Sequence, residues 1–311
     1  MATNLKVTYK PAEFMQRFWD PEFFDELCRE HASILSTAIF GPCENFMKPA
    51  NKNRNRSQQY PIWDITRVVL TQTSNGTDYI NANYVAGFNK KFKFIATEHP
   101  MENTVDNFWI MVWQQNTRVI VMLSSAEEES DPTNIPYFPY NQDNTIISDF
   151  IIKEDKIYLE KNYTETVLNI IHKRTGELRI VHHFKWLDWP ENKSPDIKEF
   201  FDFLLVVNEE YQDLRNEASK IKRRMPGPIV VHGNKGIGRT STFCAADICL
   251  YQLVNMKTVS VPSVVIKIRQ QRNGSIPTIR QYIFIHTIVH CYLKKNESEQ
   301  FVFYKFRSHL W

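Results

Sequence analysis

The segment VVHGNKGIGRTST, residues 230–242, runs from an apolar strand through a glycine-rich turn to an arginine at the mouth of a helix. Gly236 and Gly238 admit backbone conformations closed to other residues, so the N–H groups of Asn234, Lys235, Gly236, Ile237 and Gly238 can face one point as an anion nest. The positive end of the following helix adds to that field, and Arg239 supplies a planar fork suited to two phosphate oxygens. A lone Gly-x-Gly after a strand is usually just a tight turn. Here the strand before it, the helix after it and the arginine together favour a phosphate site over 232–240. The position directly after His232, where a phosphate-handling nucleophile belongs, is Gly233. Glycine cannot attack.

Other residues that could carry chemistry read as structural. Cys244 lies inside the helix that follows Arg239, where an apolar thiol belongs to the core. His182 and His183 are neighbours, but adjacent residues on a strand face opposite ways and no third ligand stands at metal-binding spacing. The five cysteines form no CxxC or His/Cys pattern, so they read as reduced thiols of an intracellular protein. No metal and no cofactor are expected.

The elements that must position the turn follow from periodicity. A lead-in over residues 1–45 holds a helix in PEFFDELCREHASIL, with Phe24, Leu27, Cys28, Ala32 and Leu35 near helical spacing. Strands are predicted at TRVVLTQ, DYINANYVAG, FKFIATE, RVIVMLS, TVLNIIH and LRIVHHFKW, all rich in β-branched and aromatic residues. Phe108, Met111 and Val112 mark one helix, and Phe200, Leu204, Val207, Tyr211 and Leu214 line the face of another. After the glycine turn come three more helices. The most linker-like stretch is 47–61, but alternation resumes directly after it, so the chain reads as one domain, 1–311. This order fits an α/β fold, a mixed sheet with helices on both faces, with its ligand at the carboxyl end of a strand.

Composition bounds the partners. A net charge of +3 in 311 residues is too weak to imply nucleic acid. The start carries no apolar signal region, and no apolar run approaches the roughly 18 residues of a membrane span. The expectation is a soluble, cytoplasmic monomer that touches neither nucleic acid nor membrane. The basic run KIKRR (220–224) reads as a solvated helix end.

VHGNKGIGRT resembles the signature of the cysteine-dependent protein tyrosine phosphatases, (I/V)-H-C-x-x-G-x-x-R-(S/T), with Gly233 in place of the cysteine. DYINANYV is similar to the family's D-Y-I-N-A stretch, and FIATEHPMENTVDNFWIMVWQQN to its Y-I-A-T-Q-G-P…D-F-W-x-M-V-W stretch. HFKWLDWPENKSP resembles the mobile acid loop, and QQRNGSIPTIRQYIF the closing Q-R…Q-T…Q-Y segment. The resemblance covers most of the chain and implies the family's highly twisted mixed sheet flanked by helices. The wording of IATEHPMENTV, WQQNTRVIVML and GRTSTFCAADICLYQL further resembles the copies carried by bracoviruses of parasitoid wasps.

The family's reaction is attack on phosphotyrosine by a cysteine thiolate, followed by hydrolysis of the phosphocysteine. Removing a nucleophile from a cooperative site costs on the order of 10⁶ in rate. The resemblance puts Glu191 at the general-acid aspartate, Pro277 at the glutamine that positions water, and Gln281 at a second, retained glutamine. Trp189 falls at the hinge anchor of the acid loop, while His183 and His232 fall at hydrogen-bonding positions. Lys235 replaces a small residue, Glu98 and His99 replace a Gln-Gly pair, and residues 133–139 lack the family's lysine. Counting back from Asp64 without a gap puts Ser57 at the aromatic that stacks on phosphotyrosine; a two-residue insertion puts Asn55 there. Either way an aromatic wall is expected to be missing. Three readings stay open: an inactive protein that binds phosphotyrosine, a phosphate-independent interaction module, and, ranked last, a weak phosphatase using water. For a bracovirus copy the resemblance implies phosphotyrosine proteins of the host cytoplasm as partners and interference with immune signalling.

Overall fold

The computed structural model describes residues 8–71, 73, 76–131, 134–139, 144–190 and 193–298, the side chains of 297 and 298 excepted. Helices α1 (Pro11–Arg17), α2 (Phe23–Ser36) and α3 (Glu44–Met47) and a 3-10 turn (Pro49–Arg54) lead in. Strands β1 (Arg67–Val69), β2 (Tyr79–Val85) and β3 (Phe94–Glu98) follow, then α4 (Val105–Gln114), β4 (Val119–Leu123) and the short α5 (Ala126–Glu129). Next come β5 (Asn144–Ile147), β6 (Phe150–Leu159), β7 (Tyr163–His172), β8 (Leu178–Trp186) and α6 (Ile197–Lys220). β9 (Ile229–Gly233), α7 (Arg239–Met256), α8 (Val261–Gln271) and α9 (Ile279–Ser298) close the described chain. The strands form one sheet in the order β1-β2-β3-β9-β4-β8-β7-β6-β5. β3, β9, β4 and β8 run parallel at its centre, and antiparallel wings extend on either side.

The central strands are buried on both faces, so they read as unbroken apolar runs. Phe94 and Ala96 of β3, Val121 and Leu123 of β4 and Val231 of β9 join a core shared with Phe200, Phe243 and Ile285 of the C-terminal helices. Ile95, Ile120, Met122 and Val230 point the other way, onto Phe108 and Met111 of α4. β9 is buried from Ile229 to Gly233, and its end releases the glycine turn at the middle of the sheet between β3 and β4.

Three expectations change. In α2 the buried face is Leu27, Glu30, His31 and Ile34, whereas Phe24 is 58 % and Leu35 41 % exposed. Tyr282 donates to the Glu30 carboxylate, and the His31 ring is 3.1 Å from the Ile276 carbonyl, so polar partners outbid the apolar spacing. The stretch 47–61 is an ordered brace, with the 3-10 turn inside it and Asn51 and Asn55 buried. β5 and β6 were not foreseen: after Phe150 and Ile152 the outer strand turns solvent-facing and a register shift falls between Glu154 and Lys156, which blurs its alternation. Residues 220–224 are exposed. All five cysteines are free, with Cys244 and Cys249 buried. Among the described residues no helix is long and apolar enough to cross a membrane.

A buried ion pair fastens β3 to α7. Lys93 Nζ lies 2.7 Å from Asp247, donates to Asn208 Oδ1 at 3.0 Å and sits 3.9 Å from the centre of the Tyr251 ring. Removing one partner strands the other charge in the core. Asp247→Ala is therefore expected to cost about 3–5 kcal/mol, and Lys93→Met with Asp247→Leu clearly less than either change alone, as read by denaturant unfolding.

Candidate functional site

The carbonyls of the turn all point outward. Gly233 and Asn234 C=O accept the His99 N–H at 2.8 and 3.1 Å, and Lys235 and Gly236 C=O accept from the Arg272 guanidinium at 3.3 and 2.8 Å. Ile237 C=O accepts from Ile276 N–H and Gly238 C=O from Thr242 N–H, each at 2.9 Å. Among the described residues, no acceptor is paired with the N–H groups of 234–238. A backbone tied back by its carbonyls presents its N–H groups to the opposite side, an arrangement suited to an anion. Gly236 has φ +66°, and a Cβ there would stand 2.2 Å from the Thr97 carbonyl. Only glycine fits.

Arg272 is the organiser that the sequence reading passed over. It is buried, and it also donates to Asn83 Oδ1 and Asn81 Oδ1 at 2.9 and 2.8 Å. These asparagines belong to the DYINANYV stretch, so that landmark serves the turn through Arg272.

Arg239, also buried, donates through Nη1 to the Trp189 carbonyl at 2.7 Å and through Nη2 to the Glu128 carboxylate. Three of its five N–H bonds remain for a ligand. Trp189 is packed against Phe200 and Phe284, and its own indole N–H donates to the Lys193 carbonyl at 3.0 Å, which anchors the acid loop at both sides of the bend. Glu191, the residue at the general-acid position, lies outside the described residues.

The turn floors a cavity of about 60 Å³, rimmed by Tyr60, Glu128, Pro277, Thr278 and Gln281. Lys235 is exposed. Asn55 is buried, its Oδ1 accepting from Tyr79 and Asn81, and Ser57 does not line the cavity. Tyr60 does, which corrects the expectation of a missing aromatic wall. Its ring lies over Gly274, where φ is +72° and a Cβ would stand 2.3 Å from Tyr60 Cδ1. The brace carries its aromatic three residues past the position that gap-free counting marks.

No cysteine stands in the turn. A Cβ on Gly233 would meet the Leu123 carbonyl at 2.6 Å, so a cysteine restored here would have to move the end of β9. Thr240 Oγ1, 3.4 Å from that point, is buried with no partner. Cys244 is buried in the core, and burial lifts its thiol pKa well above the usual range, which leaves it inert. Glu128 is the one carboxylate among the described cavity residues, and it is held by Arg239 and by the Ser125 N–H at 3.1 Å.

His183 and His232 meet on one hydroxyl, Tyr137 Oη, at 2.5 and 2.6 Å, and burial holds both rings neutral, His183 at about 3. His182 faces the other way and lies 2.8 Å from Glu165 and 3.3 Å from Glu210. Two carboxylates distant in sequence thus join it, and one ligand atom from each of the three residues lies within 4.8 Å of the others, so the expectation that the histidine pair has no third ligand at hand is corrected. Glu98 is buried and accepts the Arg56 N–H; burial raises its pKa to about 8. Between 4.5 and that value the folded chain keeps a proton that the unfolded chain releases, so stability falls as pH rises through this window. The buried histidines act oppositely, losing stability as pH falls below 6.5. Glu98→Gln is accordingly expected to raise Tm by several degrees at pH 8.5 and by much less at pH 5, in thermal melts at both values.

Comparison with known proteins agrees with this architecture. The family model described as protein-tyrosine phosphatase matches residues 51–291. A probable tyrosine phosphatase protein N1 of Microplitis demolitor bracovirus is 35 % identical over 289 residues, covering 92 % of this chain and 90 % of the viral protein. Tyrosine phosphatase-like protein J1 of the same virus is 33 % identical over 85 % of this chain and 88 % of its own. The human tyrosine-protein phosphatase non-receptor type 9 is 38 % identical over 84 % of this chain, which spans 45 % of that protein. With the matched region running from the brace to the last helix and the glycine turn at its centre, the chain belongs to the protein-tyrosine phosphatase family.

Proposed function

We propose that this tyrosine phosphatase-like protein is catalytically silent and binds phosphotyrosine without hydrolysing it. The observation that carries the reading is the pairing of Gly233 with an intact nest: the attacking side chain is gone, yet the N–H groups of 234–238 stay free and Arg239 keeps donors to spare. Loss of a thiolate also removes a negative charge that would repel the dianion. Tyr60 supports recognition of an aryl phosphate over bare phosphate, since its ring stands at the cavity rim where the substrate ring would lie. Glu128 already balances the charge of Arg239, so affinity rests on the backbone donors and helix end as much as on the arginine.

On this reading the partners are phosphotyrosine proteins of a host cell, shielded from active phosphatases and withdrawn from immune signalling in its cytoplasm; the likeness to bracovirus tyrosine phosphatase proteins is what suggests a host. The small cavity favours the second reading, an interaction module that uses the surface alone.

Isothermal titration separates them. A phosphotyrosine peptide and inorganic phosphate should both bind the wild-type protein, and Arg239→Ala should weaken both about tenfold or more. Tyr60→Ala should weaken only the peptide, by about threefold to tenfold, because stacking is worth about 0.5–1.5 kcal/mol. An absence of heat with either ligand in the wild-type protein contradicts recognition and leaves the module.

A further inference from the structure

The roomiest cavity among those described is not the phosphate turn. A cleft of about 580 Å³ lies between the β2–β3 hairpin turn and α8, in the size range of ligand sites. Its walls are tied together. Gln271 of α8 accepts the Ala86 N–H on its side chain at 3.1 Å and the Thr66 hydroxyl on its carbonyl at 2.5 Å. Gly87 N–H closes the hairpin on the Lys90 carbonyl at 2.8 Å, and a Cβ on Gly87 would collide with Lys93 at 2.8 Å, so the turn keeps its shape.

The lining combines cations with apolar surface, and none of the described lining residues is a carboxylate. Arg67 is spoken for by Asp78 at 2.7 Å, and Lys90 folds back over the Tyr211 ring, 4.7 Å from its centre. Lys91, whose Nζ stands 5.2 Å from the centre of the Phe92 ring within the cleft, and Lys267 remain, both exposed. Beside them Phe92 is 48 % and Ile65 80 % exposed, and Phe92 stands 4.7 Å from the Tyr84 ring. Exposed apolar side chains gathered in a concave, cation-rimmed cleft mark a docking site.

We propose that this cleft binds an acidic peptide segment of a partner protein, one that sets an aromatic or aliphatic side chain against Phe92 and Ile65 and its carboxylates against Lys91 and Lys267. Charge complementarity selects the occupant. A bilayer surface fits less well, because two available lysines fall short of the roughly four or more clustered cations that anionic membranes need, and they rim a hollow instead of a convex face. The site is separate from the glycine turn and does not depend on its reading.

The test is fluorescence anisotropy on the full chain with a labelled decapeptide of alternating Glu and Asp around a central Phe. Lys91→Glu with Lys267→Glu should raise Kd about tenfold or more, and Phe92→Ala several-fold, whereas Lys235→Glu at the phosphate turn should leave it unchanged. All four positions are exposed, so the variants are expected to fold, as checked by their Tm. Equal binding by wild type and the double variant overturns the proposal. So does loss of binding in Lys235→Glu, or phosphatidylserine vesicles that bind wild type but not the double variant and displace the peptide.

Discussion

The site depends on how the carbonyls of the glycine turn are held. Each of the six, from Gly233 to Gly238, accepts a hydrogen bond from outside the cavity, through His99, Arg272, Ile276 or Thr242. A peptide unit has only two polar ends, so fixing one direction for the oxygens fixes the opposite one for the hydrogens. The orientation of the turn's N–H groups is a property of the backbone and of the buried side chains beneath it. No side chain at 233 takes part in these bonds, so the turn keeps its shape with a glycine there.

The support extends outward in layers. Arg272 reaches Asn81 and Asn83 on β2; Arg56 in the brace donates through Nε to the His99 carbonyl at 2.7 Å; the Tyr137 hydroxyl joins His183 to His232. Burial keeps those histidines neutral and Glu98 protonated, so this support carries few net charges into the core apart from its arginines. At 233 a Cβ would stand 2.6 Å from the Leu123 carbonyl, and beside it the buried Thr240 hydroxyl has no partner.

Much of the fold was legible because buried parallel strands and amphipathic helices announce themselves in composition: β3, β4, β8 and β9, α4, α6 and α8 fall where the apolar patterns lie. β6 was not, because its outer half faces solvent and its register slips, and the α2 face was misjudged because Glu30 and His31 are buried by partners remote in sequence. In the site, the turn and Arg239 could be found from local spacing. Tyr60 could not, since the brace reaches the rim by a path that counting residues does not trace, and neither could Arg272 or Glu128, whose roles arise only when β2, α5 and α8 converge. The carboxylates around His182 were invisible for the same reason: Glu165 and Glu210 come from a neighbouring strand and a later helix.

The central claim is that phosphoryl groups enter this turn and are not transferred to the chain. Incubating the protein with an aryl phosphate, quenching in acid and weighing the intact polypeptide by mass spectrometry tests it most directly. The account predicts a single unmodified mass at every time point, with the aryl phosphate recovered whole. A chain heavier by one phosphoryl group, on any atom, or steady release of the phenol, would contradict it.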